Sequence, residues 1–148
     1  MSIYLGLAHG HSVLRWVVML FLLYSIAASA WTWKSSGVFS KTDSLAAGLT
    51  AGLTHLQLLL GFILYFMSPK VMFMSGVMAN PVTRFFTVEH IAMMLPAIAC
   101  VTIGNIKSQK LAENSQKAKP IFLWFAAALV LIVAAIPWPF RDLGSPWL

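Results

Sequence analysis

The chain predicts an all-α integral membrane protein folded as a four-helix bundle. Three observations carry that class. Of 148 residues, 59% are hydrophobic and only 9% are charged, where a soluble domain carries about 25% charged residues. The apolar residues gather into four runs, three of them at least the ~20 residues needed to cross a bilayer. The net charge of +6 sits mostly between those runs, as topology signals do. One domain uses the whole length, and its first partner is the lipid bilayer. The basic residues form no tract interleaved with aromatics, so no nucleic acid is expected.

Span one covers about 3–33. No basic stretch precedes it, and it is longer than a signal-peptide core, so it is expected to be retained. Trp31, Trp33 and Lys34 mark an interfacial end. The segment 35–44 is a polar connection in which Asp43 or Ser44 can cap the next helix. Span two covers about 45–67 and stops at Ser68-Pro69. The Met-rich linker 69–81 is too short to span and is expected to lie at the interface. Span three covers about 81–106, with Pro81 at its first position and Pro96 as a predicted kink. The loop 107–119 is the most polar stretch. Span four, about 120–136, contains no ionisable residue. The Pro- and Trp-rich tail that follows is expected at the interface.

Four spans place both termini on one side. The opposite side carries Lys34, Lys41, Lys107, Lys110, Lys117 and Lys119, against Lys70, Arg84 and Arg141 on the side of the termini. The positive-inside rule then puts both termini outside a bacterial inner membrane.

Ionisable residues at membrane depth are costly and mark function by default. Span two carries His55, span three Glu89 and His90, and span one His9, His11 and Arg15. A rise of ~1.5 Å per residue puts His11, His90 and His55 roughly 13, 13 and 18 Å below the outer interface. Imidazoles of different spans are therefore expected to converge, with His55 and His90 as metal ligands and His11 as third or substitute. His9 points about 200° from His11 and is assigned an interhelical hydrogen bond. Imidazole suits haem iron as well as zinc and copper. Wide apolar surroundings favour haem. Gly48 and Gly52 leave room for a porphyrin edge or for plain helix contact. Arg15 and Arg84 could neutralise propionates, and Glu89 could pair with either arginine. Cys100 is the only cysteine, which leaves no internal disulfide and no motif for covalent haem.

The motifs HGHSVLRW, THLQLLLGFILYF, FFTVEHIAMM and IPWPF together resemble a family of small four-span bacterial membrane proteins labelled cytochrome b-like. A more distant similarity is to four-helix membrane cytochromes of the b561 type, although the phasing of His9 and His11 and the histidine-free span four depart from a two-haem pattern. The resemblance implies one non-covalent haem b, held here by His55 and His90. It implies an electron carrier more than an independent enzyme, working with a quinol or a larger respiratory complex. Two alternatives stand beside it. One is an accessory subunit of a membrane complex or homo-oligomer, and the other is a copper or zinc site.

Overall fold

The computed structural model describes residues 3–143. Four helices, each long and apolar enough to cross a membrane, make up the described chain: α1 (Ile3–Ser35), α2 (Lys41–Met67), α3 (Pro81–Gln109) and α4 (Asn114–Ala135). They run up-down-up-down. α1 packs on α2 and α4, α3 packs closely on α4, and α2 meets α3 more loosely. The ring therefore closes in chain order, the arrangement that short connections favour.

The helix ends follow local chemistry. α1 stops where Ser36 turns left-handed (φ 52°) and the Gly37 N–H reaches back to the Thr32 carbonyl at 3.0 Å, which satisfies an orphan carbonyl. α2 begins at Lys41, four residues before the predicted start, because Ser40 rather than Asp43 or Ser44 is its N-cap. Asp43 sits at the third position and closes a capping box with Ser40. α4 likewise starts ahead of its apolar run, at Asn114, and Pro120 lies inside it. α3 is helical from Pro81 but contains a π turn over Phe85–Glu89, where the His90 N–H returns to the Phe85 carbonyl. The 3-10 turn Pro139–Arg141 follows α4. The last residues of the tail, 144–148, lie outside the described residues.

Small residues bring the helices together. Between α1 and α2, Ser25 and Thr50 meet at 3.2 Å. Ser29, Thr50 and Thr54 donate to carbonyls one turn back, so these buried hydroxyls leave no donor unmet. Between α3 and α4, a Cβ at Gly104 would come within 2.7 Å of Trp124 Cβ. Around it pack Ala97, Val101, Ala118, Ile121, Phe125, Ala128 and Ile132, all buried. Large apolar side chains at mid-helix point outward instead, Leu20 at 68% exposure and Val130 at 69%. In water such a surface would aggregate; in a bilayer it meets lipid.

Cross-bonds fix which ends adjoin. Tyr4 and Ser68 hydroxyls lie 3.4 Å apart, joining the start of α1 to the end of α2. Tyr65 donates to the Thr87 carbonyl at 2.9 Å, joining that end to the start of α3. At the opposite end, Tyr24 donates to Asp43 at 3.2 Å and Ser108 to the Lys117 carbonyl at 3.0 Å.

Candidate functional site

The histidines and arginines of the interior gather near the end of the bundle that carries both termini. His90 directly follows the π turn of α3. Its Nδ1 lies 2.8 Å from the carbonyl of Ala135, the last residue of α4. That carbonyl has no partner within its own helix, and a carbonyl only accepts, so Nδ1 carries the proton. In the neutral ring Nε2 then holds the free lone pair. A backbone carbonyl on the far ring nitrogen is the usual support of a metal-binding imidazole. The ring also packs at 5.9 Å against Phe85, inside the π turn.

His11 faces it from α1. Its ring lies against α2 where Gly61 removes the side chain: a Cβ there would meet His11 Cε1 at 3.3 Å and Nδ1 at 3.9 Å. Gln57, one turn before Gly61, donates to the His11 carbonyl at 2.9 Å. The His11 Nδ1 and the Gln57 Oε1 are buried and make no hydrogen bond, an expense that native interiors seldom leave unmet. The rings of His11 and His90 and the guanidinium of Arg15 lie within electrostatic range of one another.

A rim closes over this cluster. Arg15 lies 5.2 Å from the Trp16 ring, and Trp16 meets Trp138 of the tail edge-on at 6.4 Å. Arg141 sits 4.7 Å over Phe85 and donates to the Ala134 carbonyl at 3.1 Å. Glu89 holds Arg84 at 2.7 Å and stands 4.0 Å from Arg141. Across the rim Lys70 lies 4.8 Å over Phe86, and burial lowers its pKa below the usual ammonium value.

His55 is not brought to His90. It is exposed on α2, with Nδ1 2.7 Å from its own Ala51 carbonyl and Nε2 3.3 Å from Thr102 Oγ1 of α3. Thr102 is twelve residues beyond His90, so the two imidazoles stand about 18 Å apart along α3. The depth match fails because α2 is set lengthwise so that Gly61, not His55, is level with His11. Gly48 and Gly52 do not make the close helix contact that their spacing suggested. Nothing lies within 4 Å of a Cβ on either, so neither is a point of close helix approach; Gly48 is half-buried and Gly52 exposed. Arg84 is engaged by Glu89, as one of the sequence readings had it. His9 is exposed, away from the cluster. Cys100 is a half-buried free thiol packed against the core.

Among the described residues no group of three or more His, Cys, Asp or Glu side chains is arranged to hold a metal ion. A groove of about 460 Å³ between α1 and α2, lined by Leu20, Phe21, Tyr24, Thr42, Leu45, Ala46 and Leu49, holds no imidazole. Sequence reasoning missed Gly61, the π turn and the Ala135 carbonyl, while Gln57 was read as an interhelical hydrogen bond and makes one to His11. The Gln57/Gly61 spacing of four was a usable signal, since a polar amide and a glycine one turn apart mark a close helix contact. No protein-family model, curated protein or solved structure matches the chain.

Proposed function

We propose that the chain is a membrane electron carrier of the b-type cytochrome class, in which His90 and His11 would hold a haem. The observation that carries this reading is the His90–Ala135 bond, which leaves the lone pair on Nε2, together with a second imidazole within electrostatic range whose buried Nδ1 makes no hydrogen bond. The donor set fits haem better than a bare ion. A porphyrin brings four nitrogens and asks the protein for two imidazoles, whereas structural or catalytic zinc asks for three or four protein ligands. Haem would supply one-electron chemistry. The residues of the chain then have separate tasks. Ala135 fixes the tautomer and direction of His90. Gly61 lets the His11 ring seat. Arg15 supplies positive charge for an anionic group. Trp16, Phe85 and Trp138 keep water out, which raises the strength of those electrostatics.

The partner consistent with this reading is a quinol or a larger respiratory complex in a bacterial inner membrane. The lysine distribution supports an orientation with both termini outside. A second reading, an accessory subunit packed in a larger complex, draws on the exposed Gly52 and His55 of α2.

A reduced-minus-oxidised spectrum of the detergent-purified protein tests the first reading. Soret and alpha bands are expected in the wild type and in His9→Ala. Their absence from wild type that co-purifies with other subunits at fixed stoichiometry would establish the accessory role instead.

A further inference from the structure

At the end of the bundle away from the termini, a groove of about 390 Å³ opens where α1 stops and α4 starts. Trp33, Leu111, Ser115, Gln116, Lys119 and Pro120 line it. Its two walls differ in kind. One is aromatic: Trp33 leans on Phe122 with ring centroids 5.5 Å apart. The other is the polar opening turn of α4 and the Lys119 ammonium, held 5.6 Å over the Trp33 ring. The groove therefore offers a cation beside an apolar surface at the level where a bilayer turns from headgroup to chain.

The charge around it is one-sided. This end carries Lys34, Lys41, Lys107, Lys110, Lys117 and Lys119 against Asp43 and Glu113, an excess of four positive charges. Both acids are engaged. Asp43 closes the Ser40 capping box and receives the Tyr24 hydroxyl. Glu113 accepts the Gln116 amide at 2.6 Å. Glu113 stands at the N-cap of α4 without a capping hydrogen bond, and its carboxylate offsets that helix's dipole, so the positive excess at this end comes from the lysines.

We infer that the Trp33–Lys119 groove binds the headgroup of an anionic phospholipid. Its phosphodiester lies against Lys119, and the glycerol and upper acyl carbons lie along Trp33 and Phe122. Net charge selects the lipid: a zwitterionic headgroup brings a second cation into a field of lysines, and an anionic one does not. Positive-inside placement alone accounts for lysines scattered over the loops. It does not account for a lysine seated on an aromatic ring that lines a groove large enough for a headgroup.

Native mass spectrometry of the purified protein in mixed micelles holding equal phosphatidylglycerol and phosphatidylcholine tests this. Wild type is expected to retain phosphatidylglycerol several-fold over phosphatidylcholine. Lys119→Gln should lose most of that preference, and Trp33→Ala should weaken retention of both lipids. Lys110→Gln, which removes the same charge outside the groove, should change little. No preference in the wild type overturns the inference. So does an equal loss in Lys110→Gln and Lys119→Gln, which would show diffuse attraction to the surface and no site.

Discussion

Gly61 gives the most informative perturbation, because it touches the site without supplying a ligand. A Cβ at this position would stand 3.3 Å from His11 Cε1, inside the ~3.5–4.0 Å of ordinary carbon contact. In Gly61→Ala the ring has to yield by a few tenths of an ångström. In Gly61→Leu the next carbon reaches about 1.5 Å further, and the ring has to leave its seat. Misplacing the support of a metal-binding group typically costs 10–100-fold in affinity, so Gly61→Leu should weaken haem retention by about that factor and Gly61→Ala by much less. Fold stability should separate the two variants, holding or rising in Gly61→Ala and falling in Gly61→Leu. Alanine in a helix interior is favoured over glycine by about 1 kcal/mol, and overpacking by leucine costs about 1–3 kcal/mol. The assay pairs haem titration of the apoprotein with thermal unfolding in the same detergent. Gly48→Leu, at a position with open space around it, is the control. Wild-type haem affinity in Gly61→Leu, or equal losses in Gly48→Leu, would refute a site at His11.

Other expectations follow from single contacts. Gly104→Ala places a methyl 2.7 Å from Trp124 Cβ; overpacking should outweigh the helix gain and lower stability by about 1 kcal/mol, read as a lower melting temperature. Tyr65→Phe removes the donor to the Thr87 carbonyl, which should cost about 1 kcal/mol and speed amide exchange over Phe85–Glu89. Arg84→Ala breaks a half-exposed ion pair and should cost under about 1 kcal/mol; a larger loss would give that bridge a structural role. Lys70 has its folded pKa below the unfolded one. Protonated, it therefore opposes folding, and that cost fades as pH rises toward the ordinary lysine value. Lys70→Met should flatten an alkaline rise in stability.

The four crossings were legible because bilayer length and hydropathy fix them, and the Ser40–Asp43 spacing carries a capping box on its face. What was not legible is rotation about each helix axis and lengthwise offset. These helices are apolar nearly all round, so the period of their pattern does not say which side turns inward. His55 was drawn into the interior for that reason, and it sits at the edge beside Thr102. The Gly48/Gly52 spacing read as a contact motif, yet the contact is made at Gly61, where a ring from another helix fills the gap. The π turn before His90 has no local sequence signature. It depends on partners far along the chain, Tyr65 for the Thr87 carbonyl and Met72 for the Thr87 hydroxyl. His90 and Arg15 were singled out from depth alone, because a polar group in an apolar crossing has few inexpensive places to be, and the structure sets them within electrostatic range of each other.

Haem content per chain, measured as pyridine haemochrome against protein in wild type, His11→Ala, His55→Ala and His90→Ala, bears most directly on the assignment of His11 and His90 as the pair. One haem per chain is expected in wild type and His55→Ala, with near zero in His90→Ala and a severe loss in His11→Ala. Loss in His55→Ala with retention in His11→Ala would contradict the pairing and return the site to the face of α2 that the structure turns outward.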